Sequence, residues 1–255
     1  MHYLNYCARR KALRLVLYFL PVFVAILFNV HCYGDSLEFI GVSQRHSNRD
    51  ETIQLALEDA ARKLSFFNSI SAHSANWDHR GVGSMDINIG FDYRLQYDDD
   101  LEPFLNALTF DPIADVFEYN NAVFVVARTV SSVSMPSAKG HSFENRRPVW
   151  IDSPPAEIDG YVAGVGFSGR LSSHRDTVVS SYERAVVEII ENMGSHIFGE
   201  LQVHQKNYSA FGFSAASSGG AVTSGTLKNF YVIESWTDPT NLSVWTLAVA
   251  SRGEE

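Results

Sequence analysis

Val165-Gly166-Phe167-Ser168-Gly169-Arg170-Leu171-Ser172-Ser173 repeats, without a gap and 125 positions later, Ile40-Gly41-Val42-Ser43-Gln44-Arg45-His46-Ser47-Asn48. Gly41/Gly166, Ser43/Ser168, Arg45/Arg170 and Ser47/Ser172 are identical pairs. The offset continues into a segment of helical periodicity, where Glu58/Glu183 and Ala60/Ala185 also match. One register held through a strand, a loop and a helix points to two copies of one module. Any catalytic group would have to survive comparison of the copies.

Asn48 with Glu51, and Ser173 with Asp176, place a capping residue three positions ahead of an acid, which predicts helix starts after Asn48 and Ser173. Ile53, Ala56/Leu57, Ala60, Leu64 and Phe67 form the apolar face of the first helix. Gln54, Glu58, Asp59, Arg62 and Lys63 are expected on its wet face. In the second helix Val178, Tyr182, Ala185/Val186, Ile189 and Met193 point inward, with Glu183, Arg184, Glu188 and Glu191 outside.

Strands are predicted at Leu37 to Val42 and Tyr161 to Phe167. Another follows from the alternation of Met85, Ile87, Ile89 and Phe91 with Asp86, Asn88, Gly90 and Asp92. Hairpins are expected across Asn120-Asn121 and across Thr237-Asp238-Pro239-Thr240, and the small-residue tract Ser214 to Gly225 as a mobile loop. The expected fold is α+β in two tandem modules, each an amphipathic helix on a small antiparallel sheet. They would span residues 35–130 and 148–255, joined by a linker at 131–147.

Residues 1–34 have the layout of a secretory signal peptide: Arg9, Arg10, Lys11 and Arg14 without an acid, then an apolar run Leu15 to Val30. Cleavage is expected after Gly34, so that the mature chain starts at Asp35. The competing outcomes are an uncleaved membrane anchor and acylation at Cys32. Loss of residues 1–34 would leave 16 basic against 29 acidic residues and no cysteine. An acidic chain lacks the basic face that a nucleic-acid partner or an anionic lipid surface requires. Without cysteine there are no disulfides, thiolate metal sites or Cys nucleophiles.

Arg147-Pro148-Val149-Trp150-Ile151, then Pro154-Pro155, then the glycine-rich Gly160 to Gly166 before an alanine-bearing helix, resembles the LPP-type bacterial envelope lipoprotein family. The amino-terminal domain of the flagellar T-ring protein shows a similar strand–helix–strand pattern. The resemblance covers residues from about Arg147 onward and reaches the first module only through the repeat. It implies a periplasmic or outer-envelope location and a non-catalytic role in contact or assembly, with an envelope protein or a second copy as partner. It carries no catalytic residues. The bulky His31 beside Cys32 departs from the lipoprotein pattern.

Candidate chemistry is thin, and no catalytic, cofactor-binding or metal site is expected. Gly164, Gly166 and Gly169 fit G-x-G-x-x-G, but a dinucleotide fingerprint needs the helix to open at the glycines, and here it opens after Ser173. The glycines are expected to serve a tight strand exit. Arg45, Arg170 and their serines suggest either an anion site near a helix N-terminus or a loop brace, and repetition in a duplicated scaffold favours the brace. His73/His79 and His196/His204 lack the i, i+4 spacing of helical metal ligands. Asp98-Asp99-Asp100 with Glu102 lacks the alternating ligands of a calcium loop and suits a solvated turn. There is no nucleophile elbow. Phe211 and Phe213 are a possible docking patch. The sequence leaves three uses open: an envelope contact protein, a periplasmic component of the flagellar motor, or a hydrolytic or ligand-binding protein with a site between the modules.

Overall fold

In the computed structural model the described residues are 35–81, 87–193, 198–200 and 216–252. Residues 1–34 therefore lie outside them, as do Met85, His196, His204, Phe211 and Phe213. The chain is mixed α and β, dominated by antiparallel sheet.

β1 (Asp35–Gln44) leads into α1 (Arg49–Asn68), then β2 (Ile70–Gly81) and β3 (Ile87–Gln96). A short α2 (Glu102–Ala107) precedes the hairpin β4 (Val116–Tyr119) and β5 (Ala122–Ser131). Next come β6 (Gly140–Ser142), α3 (Val149–Asp152) and β7 (Glu157–Ile158). β8 (Tyr161–Ser168) and α4 (His174–Asn192) follow. β9 (Phe198–Glu200), β10 (Ala216–Thr237) and β11 (Val244–Arg252) close the chain.

Both helices start at the predicted caps. The Asn48 side chain accepts from the Asp50 amide at 3.0 Å, and Ser173 Oγ from the Asp176 amide at 3.0 Å. Asn120 and Asn121 take positive φ angles of 46° and 62°, the geometry of a two-residue hairpin turn.

The 3-stranded sheet has the order β1-β5-β4, and the 8-stranded sheet runs β3-β2-β10-β11-β8-β7, with β6 and β9 also on β10. Within the larger sheet β8-β11-β10 repeats the smaller sheet's order: opening strand, last strand, penultimate strand. β10 does more than its counterpart β4. Its C-terminal part pairs with β11, and its N-terminal part, Ala216 to Leu227, pairs antiparallel with β2 from Gly81 back to Ile70. The tract Ser214 to Gly225, expected to be a loop, is therefore strand from Ala216 onward. Its backbone finds a partner in β2, and an extended ladder needs no apolar side chains to satisfy amides and carbonyls.

Strands of the first and second sequence segments thus share one sheet, and their cores merge. Phe66 and Ile70 from the first segment pack in one buried cluster with Tyr182, Val186, Ile189 and Phe230 from the second. Leu37–Thr129 and Met135–Glu255 make one compact unit.

On α1, Asp59 and Lys63 are not on the wet face: they are 1% and 6% exposed. Phe66 is buried in place of the half-buried Phe67. On α4 the predicted face holds, with Val178, Tyr182, Ala185, Val186 and Ile189 buried. Among the described residues no helix is long and apolar enough to cross a membrane.

Candidate interaction site

The repeated glycines sit where a helix backbone meets a strand. A Cβ on Gly41 would overlap the Ala56 carbonyl oxygen and press on the Ala60 amide. A Cβ on Gly166 would overlap the Ser181 carbonyl and the Ala185 amide, the same contacts 125 positions on. Gly164 faces α4 as well, where an added Cβ would come within 2.7 Å of Ile189 Cγ1, whereas a Cβ on Gly169 would have open space around it. The first two glycines of the G-x-G-x-x-G pattern thus serve strand–helix packing rather than a strand exit, and α4 opens beyond all three.

Thr52 and Thr177 form a second recurring pair, absent from the sequence comparison. Thr52 Oγ1 accepts from the His46 amide at 3.0 Å and donates to the Asn48 carbonyl. Thr177 Oγ1 accepts from the Leu171 amide at 3.0 Å and donates to the Ser173 carbonyl. The identity at this offset was a readable signal for the loop brace.

The arginines differ. Arg45 pairs with Glu118 at 3.2 Å on the surface. Arg170 has no carboxylate within 4 Å among the described residues and lines a polar cleft. The flanking serines are spent locally, with Ser43 Oγ donating to the Thr52 carbonyl and Ser172 Oγ to Asp176.

The burial of Asp59 and Lys63 has a structural explanation in β1. β5 covers one edge of β1; side chains cover the other. Tyr231 Oη accepts from the Glu38 amide at 3.2 Å, Lys63 Nζ donates to the Ile40 carbonyl, and Asp59 Oδ2 accepts from the Val42 amide at 3.1 Å. Asp59 also accepts from Lys63 Nζ at 2.9 Å, Tyr182 Oη at 2.7 Å and Arg62 at 3.2 Å. Burial pushes its carboxyl up, but Lys63, Arg62 and the Tyr182 hydroxyl outweigh that and hold it below the usual carboxylate range. Burial lowers Lys63 from its ordinary value against the pull of Asp59. Burial and then Asp59 raise the Tyr182 hydroxyl well above its usual value. The pair seals a strand edge that no described strand covers. A cavity of about 20 Å³ beside Lys63, His141 and Tyr182 has room for one water and not for a substrate.

The histidines that come together are not those singled out by spacing. His141 Nε2 lies 2.8 Å from Thr237 Oγ1, and Thr237 Oγ1 lies 3.4 Å from His174 Nε2. Desolvation lowers His174 to about 4 and, with the nearby His174 and Lys63, lowers His141 well below its ordinary value. Thr237 is 0% exposed, so this triplet offers no hydroxyl to a substrate. His73 lies exposed on β2. No group of metal-ligating side chains gathers among the described residues. The acidic run is a turn: Asp98 accepts from the Asp100 amide and Asp100 from the Glu102 amide.

A different feature is open to a partner. β3 ends the larger sheet and pairs with β2 alone among the described strands, leaving one edge of a ten-residue strand uncovered. At its C-terminal end Tyr93 and Leu95, and Tyr97 just beyond it, pack on the core while Arg94 and Gln96 are exposed. The opposite end of the sheet is β7, of two residues. Comparison with known proteins finds no matching family model, no matching curated protein and no matching solved structure.

Proposed function

We propose that this chain is an exported, non-catalytic envelope protein that acts through protein–protein contact. The open edge of β3 is its contact element. Two copies of a strand–helix–hairpin unit, residues 35–130 and 148–255 joined by 131–147, build it, and the β2–β3 hairpin of the first is annexed to β10 of the second.

The observation that supports this reading most is the edge itself. Alternate residues along the ten-residue strand present backbone donors and acceptors to the outside at the end of an eight-stranded sheet. Natural proteins blunt such edges unless they are used, and strand addition is a common way to use one. The recurrent groups are committed to packing glycines, caps and loop braces, while the β2–β3 segment that differs between copies supplies the edge.

The contact is tested by placing a photo-cross-linking residue at Arg94 or Gln96, with Asp159 as an exposed control, in cells making the full-length chain. Adducts from 94 and 96 and none from 159 are expected. Equal adducts from all three, or none from any, would sink the proposal. Export is tested separately by sequencing the mature N-terminus, where Asp35 is expected; Met1, or a chain blocked at Cys32, overturns cleavage after Gly34.

A further inference from the structure

We propose that the outer edge of β8 takes an extended segment of a partner protein as an added strand, a contact site separate from the β3 edge. β11 covers one edge of β8, and β7 begins to cover the other. Glu157 and Ile158 pair with Val162 and Tyr161, and the Ala163 amide donates to the Ala156 carbonyl at 2.9 Å. There the chain's own strand stops, because Pro154-Pro155 stand next to it and a proline has no N–H to give a ladder. The same alternation points the amides and carbonyls of Val165 and Phe167 outward, and no described group bonds to them on that side.

The first repeat shows what closing such an edge requires. In β1, the counterpart 125 positions earlier, Asp59 accepts from the Val42 amide and Lys63 donates to the Ile40 carbonyl. Gly41 and Gly166 meet their helices at equivalent atoms, so Arg184 stands in the place of Asp59 and Glu188 in that of Lys63. The charges are exchanged. A guanidinium has no acceptor for the Phe167 amide, and a carboxylate has no donor for the Val165 carbonyl. Asp59 and Lys63 are buried against their strand, whereas Arg184 and Glu188 are exposed. The second copy of the unit has lost the seal and kept the edge.

The surroundings define the occupant. Phe167 is 38% exposed on the face away from α4 and packs on Trp245, with ring centroids 4.3 Å apart. Residues of an added strand that pair with Val165 and Phe167 point to that face and should be apolar. Those between them lie beside Arg184 and Glu188 and should be polar. A second copy joined β8 to β8 does not fit. α4 runs along β8, with Ser181 over Gly166, Ile189 over Gly164 and Asn192 bonded to the Ala163 carbonyl. A two-fold axis would set a second α4 little more than one strand spacing away, about 5 Å, where packed helices need about 8–10 Å. A segment that arrives as a lone strand meets no such obstacle.

The probe is a short acetylated and amidated peptide, valine alternating with threonine and lysine at each end, titrated into the ¹⁵N-labelled full-length chain. Shifts of the Val165 and Phe167 amides, with slowed hydrogen exchange at both, are expected. The same peptide N-methylated on its valines, whose amides face β8, should bind there about tenfold more weakly or worse. Arg184→Asp with Glu188→Lys rebuilds the seal of β1 and should weaken binding as much, while a cooperative melt shows that the fold is kept. Phe167→Ala, at an exposed position, is the second variant and should also weaken it. No movement of Val165 and Phe167 at peptide concentrations on the order of millimolar overturns the site, as does equal binding by the N-methylated peptide or by the sealed variant. A concentration-dependent dimer in sedimentation that the sealed variant loses would assign the edge to a second copy and overturn the occupant. Loss of cross-linking at β3 would leave this result untouched, so the two readings fail separately.

Discussion

Gly166 shows how one missing Cβ sets the approach of a helix to a strand. Any side chain there meets the Ser181 carbonyl, a backbone group that cannot turn aside. Gly41→Ala and Gly166→Ala should each cost about 3 kcal/mol or more, at the high end for overpacking, whereas Gly169→Ala should stay within about 0.5 kcal/mol. Urea denaturation of the three variants checks this; similar losses in all three would contradict the packing role. Asp59 is the other residue whose environment decides its effect. Its removal leaves Lys63 buried without a counter-charge, so Asp59→Ala should cost about 3–5 kcal/mol. Tyr182→Phe should cost about 1.5–3 kcal/mol, the range for a hydrogen bond to a charged group. Acid acts on His141 and His174 as well. Their folded-state values are depressed, so the unfolded chain takes up protons first as pH falls below about 6.5. Stability should be level above that pH and decline toward about 4, where His174 begins to charge in the folded state. Asp59, also depressed, adds stability above the ordinary carboxylate value that is lost only as pH falls below it. Melting temperature against pH for the wild type and His174→Gln checks the sign, with a shallower decline expected in the variant.

At the level of elements, helices and hairpins were legible because each carries its own signal. Caps at Asn48 and Ser173, the spacing of Val178, Tyr182, Ala185 and Ile189, and the Asn120-Asn121 turn are local facts of the chain. β2 and the first half of β10 carry none. Ile70 to Gly81 and Ala216 to Gly225 are poor in apolar residues, and they become strands by pairing with each other. Propensity counts side chains; a ladder is made by backbone. Asp59 and Lys63 escaped for a related reason. Helical periodicity assigns charges to water, and only the uncovered edge of β1 gives a buried carboxylate and amine something to bind. The polar cleft at the start of α4 was legible in part: Arg170 and Ser172 drew attention, but Gln44, Asn120 and Asn121 reach it only through folding, from distant parts of the chain.

On the scale of the whole molecule, the shared sheet and shared core predict that neither sequence segment stands alone. Residues 148–255 by themselves would expose Tyr182, Ile189 and Phe230, which pack with Phe66 and Ile70 in the full chain. Such a fragment should lack a cooperative thermal transition and bind a hydrophobic dye, while the full chain melts cooperatively; a fragment that melts cooperatively would show separable halves. Local physics in the sequence determined the two helices with their caps, the opening strands, the two hairpins and the 125-residue recurrence that places Gly41 and Gly166 alike. Tertiary structure alone decided that β2 lies against β10, that an ion pair seals β1, and that β3 pairs on one edge only among the described strands. The β2–β10 pairing joins backbone groups across about 150 residues of chain, and the seal on β1 brings side chains to backbone groups 17 and 23 residues away, pairings that no local pattern encodes.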